Sequence, residues 1–208
     1  MTDTAAEPAL FGADLLPDPA EAGPLPMGRA DAVVFAVADA GRAARRYCAA
    51  LGLRCTAYAG PETGEPELLS YVLAAPGTRI VLTSPVPAAS PVPAAAPFSS
   101  AAPVPAAARA ASRVRTGGPR GRELTAYLDR YGDGVLDLAV SVPDVYYAYD
   151  YAVDRGALSL AEPYEARDAY GAVVLATIGV PGGTRHTLVD RAGYVGPYLP
   201  GYVPCDGL

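Results

Sequence analysis

The chain has 208 residues, enough for one or two domains, and half of it is apolar, so a buried core is available. Its formal charge is −6, and all 16 basic residues are arginines. An acidic chain with no basic cluster is a poor fit to nucleic acid or to an anionic membrane, and no apolar run is long enough to cross a bilayer.

Residues 1–28 are acidic and rich in Pro and Ala. They lack the basic and apolar regions of a secretory signal, and they read as a disordered leader on a cytoplasmic protein. A folded domain is expected over 29–192, with its first module at 31–84. Asp31–Val37 (DAVVFAV) reads as a buried strand. Asp39 can cap a following helix, and Gly52 can end it. Ala40, Ala44, Tyr47, Cys48 and Leu51 fall on one face of that helix. Strands are predicted at Arg54–Ala59, Leu68–Ala74 and Arg79–Ser84, separated by Gly60-Pro61, Gly64 and Pro76-Gly77. The unit is therefore βαβββ.

Composition changes at Pro85. PVPAAS and PVPAAA repeats run on into an Arg- and Gly-rich stretch. With almost no large apolar residue, 85–120 is expected to be a disordered, partly polyproline-like insertion, with a proline-motif ligand as the alternative. A short helix is predicted at Arg122–Tyr131, ended by Gly132-Asp133-Gly134.

The second module, 134–192, repeats the plan. Val135–Val142 is its strand, Asp144 the cap, Val145–Arg155 the helix and Gly156 its stop. Val145, Ala148, Ala152 and Val153 form the apolar stripe. Tyr146, Tyr147, Tyr149 and Tyr151 surround it as core edge or interface. Strands follow at Leu158–Pro163, Val173–Ile178 and Arg185–Asp190. Residues 193–208 read as an extended, interdomain-type linker or tail that packs its aromatic rings on something.

The two modules keep a nearly constant offset. Asp39 recurs 105 residues on as Asp144, Gly52 recurs 104 on as Gly156, and Thr78 recurs 106 on as Thr184. That supports an internal duplication; two unrelated βα units with similar punctuation are the alternative.

The residues supply little that could drive chemistry. His186 is the only histidine, so one chain cannot supply a two-histidine, one-carboxylate iron site. It reads as a strand residue bonding to a neighbouring loop. Cys48, Cys55 and Cys205 form no CxxC pair, and Cys48 and Cys55 read as buried free thiols. There is no GxSxG, and no glycine-rich loop precedes a helix in the way phosphate binding requires. Glu162, Glu165 and Asp168 lie in a polar, turn-rich stretch where solvation is the default. From the residues alone, no catalytic, cofactor-binding or metal-binding residue is assigned.

Several phrases in order carry a resemblance: DAVVFAV, AYAGPETG, SYVL, RIVLTSP, YGDGVLDLAVSVPD, AEPYE, GAVVLATI and TRHTLVDRAGYVGPYLPGY. Together they resemble the N-terminal half of bacterial 4-hydroxyphenylpyruvate dioxygenases and the related hydroxymandelate synthases, over about Met27–Val203. The resemblance implies an α+β, vicinal oxygen chelate fold, with two βαβββ modules whose mixed sheets curl around a cavity. It implies Fe(II) in the intact enzyme, held by two histidines and a glutamate of a C-terminal domain. Superposing the modules puts the equivalent positions near Ala32, Asp137 and Thr187, which do not form that set. The expected function is a scaffolding half of a dioxygenase of tyrosine catabolism, inactive alone. Its expected partner is a C-terminal catalytic domain or a second copy of the chain. The alternative is a metal-free protein of the same fold that sequesters a small aromatic ligand or antibiotic. The PVPAA tract departs from the family pattern, and both a genuine insertion and a reading-frame artefact are consistent with it.

Overall fold

The computed structural model describes residues 24–25, 27–86, 118–179, 184–205 and 208. The leader up to residue 23 and the greater part of the expected insertion, 87–117, lie outside the described residues.

In chain order the first module is β1 (Ala30–Ala36), α1 (Ala40–Leu51), β2 (Arg54–Ala59), a single 3-10 turn (Pro61–Thr63), β3 (Leu68–Ala75) and β4 (Thr78–Pro85). Helix α2 (Pro119–Tyr131) follows. The second module is β5 (Gly134–Ser141), α3 (Val145–Val153), β6 (Leu158–Asp168), β7 (Gly171–Gly179) and β8 (Arg185–Asp190). A two-residue strand, β9 (Val203–Pro204), closes the tail. The insertion thus loses its expected ends: Pro85 belongs to β4, and α2 begins three residues before Arg122. Proline fits the start of α2 because its missing N–H would have no helical acceptor there.

Among the described residues the strands form one nine-stranded sheet in the order β6-β7-β8-β5-β1-β4-β3-β2-β9. Each module contributes the same four-strand pattern. Its first strand runs parallel to its last, and the remaining pairs are antiparallel. The modules join where β1 and β5 pair antiparallel, with Ala32 opposite Ala139 and Val34 opposite Asp137.

The repeat extends to the helix N-caps but not to the C-caps: α3 ends at Val153, capped by Asp154 in the right-handed region, and not at Arg155 before Gly156 as expected. Asp39 and Asp144 have nearly the same extended backbone, and each accepts from the amide three residues on, Arg42 N at 2.9 Å and Tyr147 N at 3.0 Å. Each bond satisfies an amide that the first helical turn leaves without a partner. Gly52 ends α1 in the left-handed conformation, at φ 66°, as its lack of a Cβ allows.

Side-chain alternation along the strands separates two faces. One face packs under the helices. Leu73 and Leu82 sit beneath α1, while Leu188 and Ile178 sit beneath α3. Burying Leu73 and Leu82, both fully excluded from solvent, contributes about 1.5–3 kcal/mol each. The expected helical stripes need two corrections. Leu51, at the end of α1, is 63% exposed. Tyr149 is buried on α3, and its hydroxyl donates to Ser159 Oγ at 2.5 Å, so the ring's polar end is satisfied inside the module.

The opposite face carries Ala32, Val72, Val81, Ala139, Val173 and Val189. The surface on which the tail packs its rings is this same face. Tyr194 and Tyr198 are buried against this face, and β9 then pairs with β2. Among the described residues, no helix is long and apolar enough to cross a membrane.

Candidate functional site

The second face of the sheet holds a cavity of about 230 Å³. Strands from both modules form its floor. Helix α2 forms one wall through Leu124 and Tyr127, and the tail forms another through Tyr198 and Tyr202. Apolar residues of the two central strands lie in the middle, with hydroxyls and charges around them.

Helix α2 is held over the cavity by charge. Glu67 Oε2 accepts from Gly121 N at 3.0 Å, placing a carboxylate where the helix dipole favours a negative group. Arg120 pairs with Glu65 at 2.5 Å, and Tyr127 donates to the Val135 carbonyl at 2.8 Å. Arg185, from β8, pairs with Glu123 of α2.

The tail is held by a second cluster. Asp31, whose side chain is only 7% exposed, pairs with Arg79 at 2.9 Å and with Arg191 at 2.5 Å. Both guanidinium groups lie over the Tyr198 ring, 5.5 and 5.4 Å from its centre. Arg191 also donates to the Tyr198 carbonyl. Burial pushes the Tyr198 hydroxyl far above its ordinary range, helped by neighbouring Tyr202 and Asp31.

Two polar pairs face the cavity. Ser70 and Thr83 share a hydrogen bond of 2.9 Å between β3 and β4. In the second module, Asp137 of β5 accepts from Thr187 N at 2.9 Å through Oδ1, and its other oxygen accepts from the Thr187 hydroxyl. Thr187 also meets the Thr177 hydroxyl at 3.3 Å.

Ala32, Asp137 and Thr187 can now be tested as a metal site. Asp137 and Thr187 are in direct contact, whereas Ala32 is a buried methyl on β1 with no side-chain donor. Both Asp137 oxygens are already engaged by Thr187. A ferrous ion bound by two nitrogens and a carboxylate does not fit this donor set. Among the described residues, no group of three His, Cys, Asp or Glu is arranged to hold a metal ion.

The other sequence candidates lie elsewhere. His186 is a β8 residue opposite Ile178 of β7. Part of the loop before it, 180–183, lies outside the described residues. Glu162, Glu165 and Asp168 lie on β6, which continues to Asp168 where a turn was expected after Pro163. There Glu165 pairs with Arg167 at 2.7 Å, and Asp168 accepts from the Tyr194 hydroxyl at 3.0 Å. Glu165 and Asp168 thus hold local structure, Glu162 is exposed, and none of the three lines the cavity. Sequence reasoning missed Ser70, Thr83, Arg120 and Arg185 as cavity residues. The tail carried a usable signal, since Tyr194, Tyr198 and Tyr202 recur every four residues.

Known proteins place this architecture. Over 173 residues the chain is 35% identical to 4-hydroxyphenylpyruvate dioxygenase of Dictyostelium discoideum, covering 83% of this chain and 39% of that protein. It is 33% identical over 173 residues to the dioxygenase of the same name from Yarrowia lipolytica, covering 37% of it. The chain is a partial-length relative of the 4-hydroxyphenylpyruvate dioxygenases. It spans well under half the length of the curated dioxygenases it matches. A triple mutant of 4-hydroxymandelate synthase from Streptomyces coelicolor superposes with a TM-score of 0.62 at 26% identity, over 87% of this chain and 43% of the synthase. Methylmalonyl-CoA epimerase from Mycobacterium tuberculosis superposes at 0.51 and 20% identity, over 82% of this chain and 93% of the epimerase, a likeness of fold alone. The fold is vicinal oxygen chelate, α+β, with two βαβββ modules. No protein-family model matches the chain.

Proposed function

We propose that the chain acts as the N-terminal scaffolding half of a 4-hydroxyphenylpyruvate dioxygenase-like protein of tyrosine catabolism in the cytoplasm, and is inactive alone. The observation that carries this reading is the engagement of Asp137 by Thr187 beside a donorless Ala32. The position that would need a free ligand is instead used to tie β5 to β8. In the whole protein, Fe(II) in a C-terminal domain would supply dioxygen activation. The 2-oxo acid would lose carbon dioxide, the ring would be hydroxylated and the side chain would migrate, giving homogentisate. This domain's residues would support that half, or a second copy, without touching substrate. Anaerobic calorimetric titration of the purified chain with Fe(II) tests the reading. It predicts no stoichiometric binding, and one ion bound per chain at micromolar affinity would overturn it.

A second reading, a metal-free binding protein of this fold, is favoured by the cavity itself. Its walls combine Leu124 and Leu199 with the rings of Tyr127, Tyr198 and Tyr202. Thermal-shift screening against small aromatic acids and antibiotics tests it. A saturable rise in melting temperature with such a compound, lost in Tyr202→Ala, would favour sequestration over scaffolding.

A further inference from the structure

All three cysteines converge, although they lie at positions 48, 55 and 205. They come from α1, β2 and the tail after β9, and they line one groove with Leu53, Arg54 and Thr56. Strand pairing brings Cys205 into place. Ala57 faces Pro204 and Tyr58 faces Val203, and the Cys205 amide donates to the Thr56 carbonyl at 3.2 Å. Cys205 therefore sits across the ladder from Thr56, one residue from Cys55. Both thiols are buried in the same apolar cluster, and the Cys55 thiol donates to the Ala57 carbonyl at 3.7 Å. A disulfide between Cys55 and Cys205 requires their Cα atoms to lie about 4.4–6.8 Å apart. Cys48 is the half-buried member, and the Cys55 backbone reaches its sulfur.

We infer that this cluster is an oxidation site for low-molecular-weight disulfides, in which Cys48 takes up the oxidant and Cys55 and Cys205 end joined. The chemistry balances as thiol–disulfide exchange. The Cys48 thiolate attacks one sulfur of oxidised glutathione, forming a mixed disulfide and releasing one glutathione thiolate. Cys55, losing its proton, attacks the Cys48 sulfur and releases the second. Cys205, losing its proton, attacks Cys55 and returns Cys48 as a thiolate. Two protein thiols lose two electrons and two protons, and oxidised glutathione becomes two glutathione thiols. Burial raises the thiol pKa of Cys48 and, more strongly, of Cys55, so the reaction is slow at neutral pH and faster in mild alkali. The product fixes β9, and with it the tail that roofs the cavity, to β2. In the cytoplasmic setting of the function proposed above, on which this point rests, such a disulfide would be redox-responsive.

The test is peptide mapping of the intact chain after incubation with oxidised glutathione, under non-reducing conditions. The expected product is a monomer with a Cys55–Cys205 link, loss of two of the three thiols, and reversal by dithiothreitol. Cys48→Ser should slow the linkage by about tenfold or more without changing the final pair. Amide exchange across Val203–Cys205 should slow on oxidation, a readout that needs no variant. Three results would each overturn the inference: three intact thiols after prolonged oxidation, links found only between chains, or a stable glutathione adduct on Cys48 with no internal bond. Linkage of Cys48→Ser at the wild-type rate would overturn the role given to Cys48.

Discussion

Thr187 holds Asp137 from two directions, its backbone amide donating to Oδ1 at 2.9 Å and its hydroxyl to the other oxygen. The pair ties the first and last strands of the second module beside their parallel pairing. A hydrogen bond to a charged acceptor in a part-buried site is worth about 1.5–3 kcal/mol. Thr187→Val, which keeps the shape and removes the hydroxyl, should therefore cost about 1.5 kcal/mol. Asp137→Ala, which also orphans the amide, should cost about 2 kcal/mol or more. In a double-mutant cycle by urea unfolding, the two changes should be less than additive. Full additivity would mean that the contact contributes nothing.

The helix caps give a paired prediction. Asp39→Ala and Asp144→Ala remove the same bond from equivalent helices and should each cost about 1 kcal/mol. Urea midpoints are the check, and a large cost for one with none for the other would contradict equivalent capping of the modules.

Much of this duplication could be read from sequence because it is local. An aspartate before a helix acts within a single turn, so residues a few apart reveal it; the glycine stop is found at Gly52 but not at Gly156. Strand β6 was read too short because Pro163 and the charged Glu165–Asp168 stretch look like a turn. The strand lies at the sheet edge, where a proline gives up no essential ladder bond, and the register against β7 shifts between Ala161 and Tyr164. Its outer side also tolerates charge. The polar contacts that line the cavity could not be read from sequence. Ser70 meets Thr83 across the β3–β4 pairing of one module, but Arg185 meets Glu123 and Asp31 meets Arg191 only after distant segments of the chain have been brought together. No local pattern encodes such encounters.

The Asp31 cluster holds the tail across 160 residues of sequence. Asp31→Ala would leave Arg79 and Arg191 partly buried with no carboxylate between them. Removing one partner from a buried ionic cluster costs about 3 kcal/mol. Glu165→Ala, which breaks the exposed pair with Arg167, should stay within about 0.5 kcal/mol. Chemical denaturation of both variants should separate them clearly, and similar costs would contradict the assignment of Asp31 as the tail's anchor.

Alkaline pH should destabilise the fold. Tyr58, Tyr71, Tyr194, Tyr198 and Tyr202 all have hydroxyls pushed above their ordinary range, burial being the first cause in each. Below about pH 10 these groups are neutral in folded and unfolded chains alike, so they add no pH dependence there. Above it the unfolded chain releases their protons first, and stability falls as pH rises. Phenolate absorbance should show these five of the 14 tyrosines ionising only together with unfolding. Smooth ionisation of all 14 near pH 10 in a still-folded chain would contradict the burial described.

The most direct measurement is oxygen consumption by the purified chain supplied with Fe(II) and 4-hydroxyphenylpyruvate. With Ala32 donorless and Asp137 engaged by Thr187, uptake should not exceed that of iron and substrate without protein. Catalytic uptake with release of homogentisate would contradict the account.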